Sequence, residues 1–175
     1  MDARRGNAFR PVVWGLAGAL LLLPAVAMQF TRDVQWTAFD FGVFGAMLLA
    51  ACGAYEFAAW RSGNTVYRAA AGLAVLSGFL LTWINLAVGI IDDAHAQANV
   101  LFLGVLIVGV VGACIARFRA RGMSKVLVAT AIAQAVVGVV ALQFESFEAV
   151  VLCIVFTGLW LSSAFLFKKA AAAVT

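Results

Sequence analysis

Long apolar runs broken by short polar ones dominate the chain. Six runs fall at roughly 12–31, 40–60, 66–91, 99–117, 124–142 and 148–167. About 20 apolar residues at 1.5 Å rise each cross the hydrocarbon layer of a bilayer. The runs are too long for barrel strands and lack strict alternation, so each is predicted to be a helix. The expected fold class is therefore all-α: an integral-membrane six-helix bundle of three transmembrane hairpins, one domain over residues 1–175.

The polar separators give an orientation. Assigned alternately to two sides, the loops place Arg4, Arg5, Arg10, Arg61, Arg68, Arg117, Arg119, Arg121, Lys125, Lys168 and Lys169 on one side, and Arg32 alone on the other. Short loops rich in Lys and Arg are held back from translocation, so the first side is expected to be cytoplasmic, with both termini inside. Asp33, Asp40, Asp92, Asp93, Glu145 and Glu148 then lie outside. The stretch from Trp83 to Asn99 is the centre of this scheme, with two carboxylates, His95 and amides between two apolar runs.

Composition agrees. Hydrophobic residues make up 65% of the 175 and charged residues 11%, against about a quarter charged in a soluble domain. One core cannot bury so much apolar surface, so lipid is expected to solvate the rest. The net charge of +4 is set by the loops and does not point to nucleic acid. Arg4-Arg5, the apolar stretch from Val12 to Leu23 and Ala25-Val-Ala27 also fit a cleavable signal peptide. The apolar run continues through Met28 and Phe30, so the first span is expected to stay.

Helix starts are read from cap-forming residues. Pro11 suits a first turn. Asp40, Asn99 and Ser146, and on the other side Asn64 or Thr65 and Ser124, are residue types that accept from free first-turn N–H groups. Arg61-Ser-Gly-Asn64 and Arg121-Gly-Met-Ser124 read as tight turns. Trp36, Trp83 and Phe144, and Trp14, Trp60 and Tyr67, suit two aromatic belts. An offset of 59 residues pairs Gly45 with Gly104, Gly53 with Gly112 and Gly63 with Gly122, suggesting a parallel repeat. Small residues four apart, such as Ala46, Ala50 and Ala54, favour close helix packing.

Two groups of residues are candidates for chemistry. The first lies within the spans: Glu56, Asn85, Thr130 and Gln134. Glu56 is the one carboxylate inside a run and not at its first residue. It either pairs with Arg61 or Arg117 or takes a proton or cation. Thr130 and Gln134 share a helix face at i, i+4. They and Asn85 bond between helices or line a small polar cavity. The second group is an outer acidic rim of Asp33, Asp40, Asp92, Asp93, His95, Glu145 and Glu148. Its oxygens suit a hard cation, but its spacing matches no metal motif, and a solvated rim is the simpler reading. Neither a metal nor a cofactor is expected.

The remaining signals exclude several classes. Cys52, Cys114 and Cys153 stand singly in different runs and form no C-x-x-C. A lone histidine in a loop cannot supply a bis-His haem site. P-loop, H-E-x-x-H and G-x-S-x-G patterns are absent from the sequence. The balance is against catalysis.

At Gln35-Trp-Thr-Ala-Phe-Asp-Phe41, Tyr55-Glu-Phe57 and Trp83-Ile-Asn-Leu-Ala-Val-Gly-Ile-Ile91 the chain resembles a family of small, uncharacterised multi-pass inner-membrane proteins of Gram-negative bacteria. The resemblance implies a bacterial cytoplasmic membrane and brings no catalytic residues. The function expected is a non-enzymatic accessory, assembly or sensing component. Its partners would be the lipid bilayer and, in a homo-oligomer or larger membrane complex, other protein chains. The alternatives are a small cation- or proton-linked transporter or channel using Glu56, Asn85 and Gln134, and a metal-dependent membrane enzyme using Asp92, Asp93 and His95.

Overall fold

The computed structural model describes residues 10–87, 90, 99–144 and 146–173. These residues form six α-helices and no strand: α1 (Arg10–Phe30), α2 (Ala38–Arg61), α3 (Thr65–Ala87), α4 (Val100–Ile115), α5 (Ala120–Ala141) and α6 (Phe147–Ala172). A short 3₁₀ turn, Leu142–Phe144, follows α5. All but α4 are long and apolar enough to cross a membrane. At 16 residues, α4 is ~24 Å long at 1.5 Å per residue, short of a ~30 Å hydrocarbon layer. The run read over 99–117 thus holds a shorter helix than expected, because its last residues form a turn.

By their contacts, the residues fall into two compact units, one ending at Trp60 and the other beginning at Arg61. In the first, α1 and α2 run antiparallel. Trp14, near the start of α1, bonds Glu56, near the end of α2. Further along, the side chain of Leu21 lies beside Gly45. The start of α2 is a capping box. Thr37 is the cap, and Asp40, three residues on, accepts from both the Thr37 backbone N–H at 2.7 Å and its hydroxyl at 2.8 Å. The expectation that Asp40 itself caps α2 is corrected: it is the third helical residue, and it serves the cap.

In the second unit α3 packs on α6, α6 on α5, α5 on α4, and α4 more lightly on α3. Asn64 caps α3, its Oδ1 accepting from the N–H groups of Val66 and Tyr67 at 2.8 and 3.2 Å. Ser124 does not start α5, which begins at Ala120 after an extended Arg119. The expected tight turn Arg121-Gly-Met-Ser124 is therefore helix. Asn99 and Ser146 occupy cap positions but make no side-chain cap bond.

The real turn between α4 and α5 is an uncommon one. Phe118 N–H donates to Ala113 C=O and Arg117 N–H to Cys114 C=O. This is the Schellman pattern that ends many helices, and its left-handed position is normally glycine. Here Arg117 and Phe118 hold φ of 50° and 57°. Two non-glycine residues in that region cost roughly 1–2 kcal/mol each.

The α4–α5 hairpin closes tightly around the turn. A Cβ on Gly122 would lie 2.7 Å from the Ala116 Cβ, and one on Gly112 would lie 2.6 Å from a Val126 methyl. Gly53 and Gly63, their partners in the proposed repeat, meet nothing within 4 Å. Moreover, α3 and α5 start 55 residues apart (120 minus 65), not 59. The glycine matches thus do not mark equivalent places.

Candidate functional site

Several polar side chains inside the second unit are closed into helix contacts. Ser77, Thr130, Gln134 and Ser163 are at most 1% exposed. The Ser163 hydroxyl donates across to the Ala70 carbonyl on α3 at 2.7 Å. Ser77 and Thr130 donate to carbonyls one turn back, Leu73 and Val126. Such back-bonding satisfies a hydroxyl without a partner helix. Gln134 donates from Nε2 to the Cys153 sulfur on α6 at 3.4 Å. A Cβ added at Gly138 would come within 2.9 Å of the Cys153 Cβ, so α5 and α6 touch closely here. Gln134 Oε1, Thr157 Oγ1 and Trp160 Nε1 are buried without a partner.

Thr130 and Gln134 do lie along one side of α5, as their spacing predicts, but they reach different neighbours. Thr130 lies beside Gly109 of α4, while Gln134 meets α6. Asn85 joins neither. Near the end of α3, its Nδ2 donates to the Asn99 carbonyl at 3.2 Å, and Asn99 Oδ1 accepts from the Ile90 N–H at 3.1 Å. This lacing ties the end of α3 to the start of α4.

Glu56 belongs to the first unit. Its Oε1 accepts from Arg10 Nε at 2.9 Å and from Trp14 Nε1 at 2.8 Å. The expected partners Arg61 and Arg117 are replaced by Arg10, one helix earlier in the chain. Both donors come from α1, so Glu56 serves to join the two helices of its own hairpin.

Arg61 instead donates to the Arg117 carbonyl at 3.1 Å, and the Tyr67 hydroxyl donates to the Phe118 carbonyl at 2.7 Å. Both strained residues of the α4–α5 turn are thus held from outside their own hairpin. Tyr67 is 5% exposed and meets Phe167 edge-on at 5.0 Å. Its expected place in an aromatic belt is corrected to a core one. The residue pair at positive φ carries no local signal in the sequence, so the clasp is not legible there.

The rim residues that are described are either used locally or exposed. Asp33 accepts from the Thr31 hydroxyl at 2.8 Å, Asp40 serves the capping box, and Glu148 is exposed in the first turn of α6. Asp92, Asp93, His95 and Glu145 lie outside the described residues. Among the described residues no three His, Cys, Asp or Glu side chains group as metal ligands would.

The same end of the second unit that carries Tyr67 gathers cations. The start of α3, the α4–α5 turn and the end of α6 meet there through the Tyr67 contacts. They bring Arg61, Arg68, Arg117, Arg119, Arg121, Lys125, Lys168 and Lys169 to that end. The acidic Glu148 opens α6 and the basic Lys169 closes it, each complementing the helix dipole.

Compared with protein-family models, curated proteins and solved structures, the chain matches none.

Proposed function

We propose that the chain is a six-span membrane protein with both termini cytoplasmic, and that its role is non-enzymatic: an accessory, assembly or sensing component working through helix and lipid contacts. The family resemblance supports the inner membrane of a Gram-negative bacterium as its location. The observation that carries the reading is the complete burial of Gln134 with its amide on Cys153. A transport path needs polar groups open to water near mid-depth. Here Ser77, Thr130, Gln134 and Ser163 are closed off inside the unit, although Gln134 Oε1 has no partner there. Meanwhile, large apolar residues such as Leu103, Ile107, Val110, Ile154 and Phe165 remain exposed, the surface that lipid or another membrane helix covers.

For α4, local thinning of the bilayer or deep seating beside its neighbours accommodates a short span. The test is twofold. Extraction in mild detergent should yield the chain within a larger assembly. Proteoliposomes should show no proton or cation flux above empty vesicles. Flux that disappears in Glu56→Gln would replace this reading with a transporter.

A further inference from the structure

We propose that the basic end of the α3–α6 unit is a docking surface for the headgroups of anionic phospholipids, a proposal that rests on the membrane reading above. The cations at this end are of two kinds. Arg61 and Arg68 are used inside the fold, donating to the carbonyls of Arg117 and Ser62. Arg119, Arg121, Lys125, Lys168 and Lys169 are exposed, and their side chains make no hydrogen bond or ion pair among the described residues.

Among the described residues of the unit the one side-chain carboxylate, Glu148, lies elsewhere. Of the four carboxylates after Arg61, Glu148 opens α6 at the far end. Asp92, Asp93 and Glu145 fall in the sequence segments joining α3 to α4 and α5 to α6. Setting an orientation needs basic residues in a loop. It does not need them held unpaired at the foot of a strained turn. Backbone kept in a sparsely populated region persists where surrounding structure over-determines it, and Arg61 and Tyr67 do that here. The clasp sets where α5 begins, with Arg119 and Arg121 flanking its first residue.

The neighbours of these cations decide the occupant. Ile115 is 78% exposed just before the turn, and Phe165 is 66% exposed just before Lys168. A phosphodiester headgroup answers the guanidinium and ammonium groups, and the acyl chains it carries cover Ile115 and Phe165. A nucleic acid or free phosphate supplies the charge but leaves that apolar surface wet.

The full chain, reconstituted in equimolar phosphatidylglycerol and phosphatidylcholine vesicles and re-extracted in mild detergent, tests this by mass spectrometry of the retained phospholipid. Each basic residue near an anionic surface contributes roughly fivefold, so phosphatidylglycerol should be enriched at least about tenfold. Enrichment should fall severalfold in Arg119→Gln/Arg121→Gln/Lys125→Gln, to what Lys168 and Lys169 still supply, and survive in full in Arg119→Lys/Arg121→Lys. Inorganic phosphate should displace no more lipid than chloride at equal ionic strength.

Parity in the wild-type chain, enrichment undiminished in the triple variant, or displacement by phosphate or by a single-stranded RNA would overturn the proposal. The triple variant must melt in phosphatidylcholine as the wild type does; otherwise Lys168→Gln/Lys169→Gln takes its place, with partial loss expected and full retention counting against. Failure to enter phosphatidylcholine vesicles at all would sink the membrane reading itself. A chain that enters them and shows parity sinks the docking surface alone.

Discussion

The two units solve the same problem differently. In the α1–α2 hairpin the polar bonds sit at the ends: Arg10 and Trp14 on Glu56 at one, the Thr37–Asp40 box and the Thr31–Asp33 contact at the other. Along its length α1 buries Pro24. In the α3–α6 unit hydroxyls and an amide are buried at mid-length, and glycines bring backbones together. Among the described residues α1 and α2 are bonded to each other near one end, through Glu56, so fewer contacts fix their register than in helices joined by interior bonds. The lesson concerns specificity. Where lipid removes the hydrophobic contrast, shape and interior hydrogen bonds choose neighbours, and the second unit has both.

The largest expected effect breaks the close packing. Gly122→Val places methyl groups on Ala116, where the obstacle includes backbone. Overpacking of this kind costs about 1–3 kcal/mol, so the detergent melting temperature should drop by several degrees. No change would show that α4 and α5 are as loosely joined as α1 and α2. Next, Tyr67→Phe removes the donor to the Phe118 carbonyl while keeping the ring on Phe167. A lost buried hydrogen bond costs roughly 1–1.5 kcal/mol, to be read in the same melt.

Arg117→Gly sharpens the picture in the other direction. Glycine accepts the left-handed position freely, so a gain of about 1 kcal/mol is expected, although Arg61 still holds the same carbonyl. Should the variant melt lower, the guanidinium at 117 has a packing role that its exposure does not reveal. The smallest effect belongs to the first unit. Glu56→Gln keeps an acceptor for Trp14 and loses the charge pairing with Arg10, whose side chain is 66% exposed. Pairs so exposed contribute about 0–1 kcal/mol. A loss well above that range would mean the two units are held in more similar ways than their contacts suggest.

Much of the helical layout was legible because apolar runs need no tertiary context to announce themselves. Helix ends were less so. Thr37-x-x-Asp40 has the form of a capping box, but Asp40 taken alone reads as the cap because it is itself a cap-forming type. Arg121-Gly-Met-Ser124 looked like a turn since glycine and serine favour turns, but Gly122 is there for the close approach of Ala116. The actual turn uses arginine and phenylalanine at positive φ, residue types that carry no local signal for it. Partners were hardest of all. Glu56 was placed as a carboxylate within a span, but its choice of Arg10 over Arg61 depends on how α1 lies along α2. The shared side of Thr130 and Gln134 followed from their i, i+4 spacing, whereas the sulfur partner of Gln134 on α6 did not.

The corner between α4 and α5 is clasped by donors that precede both helices in the chain. Synthesis delivers Arg61 and Tyr67 before Arg117 and Phe118 exist, and the mould is completed when Phe167 of α6 packs on Tyr67. A segment beginning at Val100 would carry the bend without its mould. It would be free to relax towards an ordinary helix end, letting Arg119 and Arg121 drift from the places they hold in the intact chain.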